Sequence, residues 1–543
     1  MYKDFFEDFR DVKSNPFNNT SFEKAHKYTN QLYIKVLNSL VKKLNEVHKV
    51  NYPLRYWQIP LSSWLNYFII STYVKWLHVQ KIKDKKKIYT IYLDYKNLNP
   101  RNFLEISNGY THRTEKYINY SNFIYYKILK EFEIKFTVRK FAIKNFYINK
   151  KVFSYKHLIF LIFIKIKNFF SSKKILMINL NFDIDKIKIF LKRDVAFFYK
   201  SYNFNESYVN SSLRKMKLNF KTKNKFENFL SINLMNFIPM SFLEDYELIK
   251  KNNLKDINFN NLIFYSQNDC DYTKFFLSES ILKKSKIAQY QHGGGYGHLK
   301  FYDEEIQEIN LYDYFLTYGW DQKRAIINKK NKIIKFFPLN FKKKILHPKG
   351  QKILIVLDSM AKEFISFRSI ILEEDYDKII LSKLTKVLLS LDKEKLKLID
   401  IRLPRVNYAN TYKFLKFKIP KLNIIKAEDS LLRNFDKYKM SIFTGIYTSI
   451  HEALYTNANM IIFDFEKKSR FRKSFIKTYD DLKKSHLLIS NQKKMKLILN
   501  ECLTKKQFFY NLEQIKTIKR YKKNYLNFYN YQLFKKFSQA CLN

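Results

Sequence analysis

Glycine is scarce in this sequence: eight residues in 543. Nine prolines, three cysteines and four tryptophans are scarce as well. Each shortage excludes something. Cys270, Cys502 and Cys541 show no paired spacing, so neither a disulfide framework nor a zinc site is indicated. The longest apolar run, 158–164, is broken by Lys165 and Lys167. It falls far short of the roughly 20 residues of a membrane span. Residues 1–10 are acidic and aromatic, without a charged-then-apolar leader pattern, so a cytoplasmic location is expected. No G-x-x-x-x-G-K-[ST] stretch is present, which argues against a P-loop enzyme. No G-x-G-x-x-G precedes an acid at the right distance, which argues against a nicotinamide dehydrogenase.

Apolar and aromatic residues are plentiful, at 46% and 18%, enough for more than one buried core and too much for global disorder. The formal net charge is +52. Lysine outnumbers arginine several-fold, alongside abundant Asn, Ile, Phe and Tyr, the joint signature of A/T-rich codons. A surface tuned to phosphate favours the planar fork of arginine. Codon composition therefore accounts for a solvated lysine surface, and an anionic membrane or nucleic acid is the alternative partner.

Against this background the placement of rare residues is informative. Gly293, Gly294, Gly295 and Gly297 fall within five positions, and Gly319 precedes Trp320. Apolar residues from Leu32 to Leu44 recur at helical spacing and predict a helix over 21–50. A proline-bounded turn at 52–60 and a helix over 62–80 follow. Strands are expected at 87–94 and 174–180, while 95–173 shows no clean period. From 261 onward strands and helices alternate: strands 261–265, 286–291 and 313–318, with a helix at 274–284. A linker at 342–351 precedes a second series, with strands 353–357, 398–401, 422–425, 440–443 and 460–463. Its helices are expected at 376–391, 430–435 and 448–456, and 507–543 reads as a helical tail. Alternation of this kind implies parallel sheets covered on both faces. The expected units are a helical region 1–85, a first Rossmann-like unit 86–341 on the acceptor side, a second at 352–506 on the nucleotide-donor side, and C-terminal helices 507–543. The fold class expected is α/β, with two Rossmann-like units facing a cleft. Ligands of such sheets sit beyond the carboxyl ends of the strands.

Three constellations occupy such ends, and a fourth lies in the proline-bounded turn. The first is Gln291-His292-Gly293-Gly294-Gly295-Tyr296-Gly297. Consecutive glycines let backbone amides approach a ligand, and His292 at a strand tip can serve as general base or anion donor. A tight turn needed only for packing is the plainer reading. Asp303, Glu304, Glu305 and Glu308 follow, as a carboxylate partner for the histidine or as an exposed helix start. The second is Thr444-Gly445 leading to Thr448-Ser449 and Glu452, where a helix N-terminus can bind phosphate and Glu452 can reach a ribose hydroxyl. Simple capping competes with that reading. The third is Arg402, near Arg405, placed to neutralise a diphosphate or to form a surface ion pair. The fourth is Arg55-Tyr56-Trp57, which either stacks on an acceptor sugar or packs the N-terminal region. Asp271, beside Asp269 and Cys270, is a candidate catalytic carboxylate or a polar turn.

His48 with Arg55-Tyr56-Trp57 and Trp64, the 291–297 block, Asp313-x-x-Leu316-Thr317-x-Gly319-Trp320, and Thr448-Ser449-x-x-Glu452-Ala453-Leu454 occur in an order that resembles a family of transferases from bacterial O-antigen and surface-polysaccharide loci. That family is distantly similar to capsule-polysaccharide and glycerophosphate transferases of the GT-B type. Tyr318 stands where the family usually has tryptophan, and 457–460 lacks its proline. The resemblance implies a metal-independent glycosyltransferase acting on a growing O-antigen, lipopolysaccharide or capsule glycan. Its co-substrate would be a CMP-, UDP-, GDP- or CDP-linked donor, with no bound cofactor and no metal. A glycan or lipid-linked acceptor, a peripheral contact with the inner membrane and no nucleic acid are expected. A CDP-polyol phosphotransferase of the same fold is the first alternative. A non-catalytic basic protein binding nucleic acid or anionic membrane is the second.

Overall fold

The computed structural model describes residues 16–542, except 85–87, 107–114, 141–154, 173, 179–186, 199–207, 255–260, 267–269, 323–331, 340, 342–349, 359–363, 365, 368–376, 405–408, 426, 428–430 and 466–467. The expected linker therefore lies almost wholly outside the described residues, as do Asp269 and Arg405.

Helix α1 (Asn19–Val47) starts in a capping box, in which the Asn18 side chain and Ser21 bond each other's backbone amides. Helix α2 (Leu54–Ile82) corrects the expected turn, because Pro60 stands inside it. The missing amide and the ring clash normally break a helix. Here the same segment buries Tyr56, Trp57, Leu61, Trp64 and Leu65, and that packing prevails. Strands β1 (Tyr89–Leu93) and β2 (Phe136–Lys140) pair with each other in a separate two-stranded parallel sheet. The strand expected at 87–94 is thus present but does not join the large sheets.

Among the described residues, six parallel strands form the first large sheet: β3 (Ile175–Ile178), β4 (Val195–Phe198), β5 (Leu262–Ser266), β6 (Lys286–Tyr290), β7 (Tyr314–Thr317) and β8 (Lys332–Lys335). Their order is β4-β3-β5-β6-β7-β8. The second sheet contains β9 (Lys352–Val356), β10 (Ile399–Arg402), β11 (Asn423–Ile425), β12 (Tyr438–Phe443), β13 (Met460–Phe463) and β14 (Leu488–Ile489), in the order β11-β10-β9-β12-β13-β14. The central strands are buried along nearly their whole length and mostly apolar, as two-sided coverage requires. In the second sheet the chain winds outward from β9 and returns to β12 on its other side. The crossovers leave these two neighbours in opposite directions and open a crevice at their carboxyl ends.

Two 3-10 turns, Leu431–Arg433 and Phe435–Lys437, replace the helix expected at 430–435. The segment is too short for a stable α-helix and acts as a connector. The tail is two helices, Leu512–Tyr525 and Tyr531–Leu542. The last one returns to the first sheet, where Phe534 and Phe537 pack on Phe264. The two lobes are also stitched directly: Leu299 and Phe471 form an antiparallel bridge, flanked by amide bonds from Arg472 to His298 and from Lys300 to Arg470.

Candidate active site

Strand β6 ends at Tyr290 and delivers Gln291 and His292 to the carboxyl edge of the first sheet. Gln291 fixes the turn that follows. Its Oε1 accepts from the Tyr318 amide and the Trp320 indole, each at 2.9 Å, and its Nε2 donates to the Gly293 carbonyl at 2.8 Å. The specific Gly-Trp pair downstream is thereby tied to the glycine turn.

His292 is one-third exposed by side chain (33%), and its Nδ1 lies 3.0 Å from the Tyr296 hydroxyl and 3.5 Å from Glu308 Oε1. Tyr296 donates to Glu308 Oε2 at 2.9 Å. Burial and the adjacent Glu308 carboxylate hold the Tyr296 phenol far above the ordinary tyrosine range, so it keeps its proton. The hydroxyl has one proton, and Glu308 receives it. Its oxygen therefore accepts from Nδ1–H, and the lone pair of the imidazole falls on Nε2.

Glu308 lies on the helix Asp303–Leu311, whose acids are all buried. Each secures a different element. Asp303 binds His26 at 3.0 Å and the Phe367 amide at 2.7 Å. Glu304 accepts from Tyr67 at 2.7 Å. Glu305 accepts from the Gly297 amide at 2.8 Å and pairs with Arg472 of the second lobe at 3.3 Å. The exposed-helix reading of this acidic run does not hold.

The glycine turn is pressed against the second lobe. The Gly294 amide donates to Thr448 Oγ1 at 2.6 Å, and a Cβ on Gly294 would lie 2.2 Å from the Thr448 nitrogen. Gly297 has φ +77, and a Cβ there would meet the Trp320 ring at 2.9 Å. Gly293 faces Thr448 Oγ1 and Gly295 faces Leu299. The amides of Gly294 and Gly297 are thus committed to protein partners. This corrects their expected role as ligand cradle: they permit close packing of the two lobes.

The helix Thr448–Thr456 begins after Tyr447, which supplies no side-chain cap. Thr448 is its first helical residue rather than its cap, and the Ser449 Oγ is buried with no hydrogen-bond partner among the described residues. Such a terminus retains unsatisfied amides and the positive end of the helix dipole. Glu452 is half-buried one turn further in. Arg402 ends β10, buried, in register with Val356. It stands one strand from the β9–β12 crevice.

The sequence reading missed Asp358, the first polar side chain beyond β9. It hydrogen-bonds Thr444 at 3.2 Å across that crevice, and a Cβ on Gly445 would meet its Oδ2 at 2.6 Å. Burial pushes its carboxyl up to about 7, against the pull of Thr444 and the Arg470 charge. The signal was available as a polar residue at the carboxyl end of an apolar strand.

Three expected site residues belong to the framework. Asp271 is 1% exposed, and its Oδ2 accepts from the Phe103 amide at 2.9 Å and Ser241 Oγ at 2.5 Å. Arg55 forks onto Asp313 at 3.0 and 2.8 Å and reaches the Leu311 carbonyl. Asp313 immediately precedes β7, at the amino edge of the sheet, opposite the edge that carries His292. Trp57 is fully buried, donates to Asn45 at 2.7 Å and packs on His48 and Tyr246. Trp57 thus packs in the N-terminal core, while the partly exposed Arg55 ties α2 to the first sheet through Asp313.

A family model described as LIC12162 family transferase matches residues 2–530. Curated protein sequences give no match. Among solved structures, HepE of Anabaena in complex with UDP-glucose overlaps 67% of this chain and 99% of its own, at 11% identity and a TM-score of 0.35. A mutant of S. aureus TarM, solved with fondaparinux, α-GlcNAc-glycerol and UDP, overlaps 52% of this chain at 14% identity and a TM-score of 0.32. The chain spans about half of TarM, 55% of its length. WaaG, a glycosyltransferase involved in lipopolysaccharide biosynthesis, overlaps 55% of this chain and 95% of its own, at 8% identity and a TM-score of 0.28. With two parallel six-stranded sheets meeting at a glycine turn, and a family match over residues 2–530, the chain belongs to the LIC12162 family of transferases.

Proposed function

We propose that this protein is a glycosyltransferase that moves a sugar from a nucleotide-activated donor to a surface-glycan acceptor, with His292 as the base. The observation that carries this reading is the tether of His292 Nδ1 to Tyr296 and Glu308, beside the contact of the glycine turn with Thr448. The tether presents Nε2 as proton acceptor. In the reaction the acceptor hydroxyl attacks the anomeric carbon of the donor sugar. The bond from that carbon to the phosphate oxygen breaks, the hydroxyl proton passes to His292, and the nucleotide leaves with the bonding electrons. The uncapped helix at Thr448, with Ser449, stabilises the charge on the leaving phosphate. Charge-assisted bonds of this kind contribute about 1.5–3 kcal/mol each. Arg402 offsets further phosphate charge, and Glu452 binds the ribose. The donor is a CMP-, UDP-, GDP- or CDP-linked sugar, and the acceptor is an O-antigen, lipopolysaccharide or capsule glycan, free or lipid-linked.

His292→Ala should abolish transfer and leave nucleotide affinity within a few-fold. Undiminished turnover in that variant removes His292 from the mechanism. A thermal-shift panel of CMP, UDP, GDP and CDP derivatives should show stabilisation by one nucleotide class, and no response to any of them overturns the donor assignment. Release of CMP from a CDP-polyol would mark polyol-phosphate transfer instead.

A further inference from the structure

On the helix Tyr155–Phe169, Lys167 and Asn168 flank the buried Ile164 on the side turned to the first sheet. Asn168 donates to the Phe197 carbonyl at 2.7 Å and accepts from the Phe197 amide at 2.8 Å. Lys167 Nζ donates to the Val195 carbonyl at 2.9 Å and the Lys192 carbonyl at 3.1 Å. Val195 and Phe197 belong to β4, the edge strand of the first sheet. The helix therefore uses its polar groups to satisfy an open sheet edge. Among the described side chains of this segment, Ile162, Ile166, Phe169 and the adjoining Phe170 are 50%, 53%, 81% and 68% exposed. The first three recur one helical turn apart. Leu191, 63% exposed, lies on the adjoining turn, whose Arg193 carbonyl accepts from the Ser172 amide at 3.0 Å and Ser171 Oγ at 2.9 Å.

Exposed Lys165, Lys174 and Arg193 rim this patch. Residues 155–182 contain no Asp or Glu. Asp194, on the same turn as Arg193, is paired with Lys192 at 3.6 Å. An apolar stripe within a cationic rim matches a plane of anionic headgroups over hydrocarbon. No helix among the described residues is long and apolar enough to cross a membrane, so a contact made by this helix is peripheral.

We infer that this face docks on an anionic lipid bilayer, with Ile162, Ile166, Phe169 and Phe170 immersed at the headgroup boundary and Lys165, Lys174 and Arg193 among the phosphates. The inference stands apart from the transferase reading and needs no catalysis. The test is flotation of the full chain with vesicles of phosphatidylcholine alone or mixed with phosphatidylglycerol. The wild type should float with the mixed vesicles and far less with phosphatidylcholine alone. I162S/I166S/F169S should lose at least about tenfold in binding. K165E/R193E should lose binding too, and both variants should keep the wild-type Tm because every altered side chain is exposed. Failure of the wild type to float with the mixed vesicles overturns the inference. So does undiminished flotation of I162S/I166S/F169S, which would reduce the effect to general charge. A wild-type dimer that this triple variant converts to monomer would assign the face to a second copy instead.

Discussion

The backbone amide of Gly294 donates to the hydroxyl of Thr448 at 2.6 Å, across 154 positions of sequence. This bond joins the turn that carries His292 to the helix terminus proposed for the donor phosphate. Lobe packing therefore sets the two proposed site segments side by side. The Glu305–Arg472 pair reinforces the same junction a few residues away.

Gly294→Ala tests that junction. The added methyl would lie 2.2 Å from the Thr448 nitrogen, so backbone must move. Overpacking of this kind costs about 1–3 kcal/mol. We expect a lower Tm and at least a tenfold fall in kcat/KM (about 1.4 kcal/mol). A variant that turns over normally would show that this contact is not needed for activity.

Glu308→Gln and Tyr296→Phe test the orientation of His292. Each removes part of the tether while His292 is retained. Loss of general-base function is expected to lower kcat by about 10²-fold or more, with nucleotide affinity unchanged. Equal losses in nucleotide affinity would assign these residues to binding.

Arg55→Ala and Trp57→Ala separate framework from acceptor recognition. Arg55 holds Asp313, which also accepts from the Ile287 amide at 2.8 Å. Its loss should lower Tm and leave the acceptor KM unchanged. Trp57→Ala should cost about 3–5 kcal/mol in a denaturant titration. A raised KM without loss of stability in either variant would restore an acceptor role.

Acid stability should depend on two stacked, buried histidines. His298 and His451 lie face to face at 5.3 Å between ring centres, and Tyr521 of the tail reaches both. Burial lowers His451 from 6.5 to about 4, opposed by a hydrogen bond to the Tyr447 backbone. Burial, then His451 and Arg472, lowers His298 well below its ordinary value. The unfolded chain thus binds protons more readily than the folded one. The stability contribution of His451 is complete above pH 6.5 and is lost as pH falls toward about 4. His451→Gln should flatten the urea midpoint across this window, and the double variant with His298→Gln should flatten it further. An unchanged acid slope would place the responsible groups elsewhere.

Local pattern alone carried part of the architecture. The strand Met460–Phe463 and the helix Thr448–Thr456 have the limits expected from sequence, because a short apolar run and a helical repeat need only neighbouring residues to be read. The crowding of four glycines marked the lobe junction for the same reason: few other sites in this chain tolerate backbone contact so close. Side-chain partners were not legible. Arg55 and Asp313 are 258 positions apart, and no local period distinguishes a fork onto a carboxylate from a stacked sugar. Asp271 was expected just beyond an apolar strand, yet it opens the helix Asp271–Leu282 and is enclosed by the Phe103 amide and Ser241.

By itself the sequence determined two parallel α/β series, a glycine turn at a strand tip and a helix start at Thr448. Tertiary structure decided which amides of that turn are committed, which acid lies beside His292, and which side chains of residues 162–170 are exposed. The reason is physical. Element type follows from hydrophobic periodicity over a few residues, whereas the partner of a polar side chain is set by which distant segment the core brings within 3 Å or so.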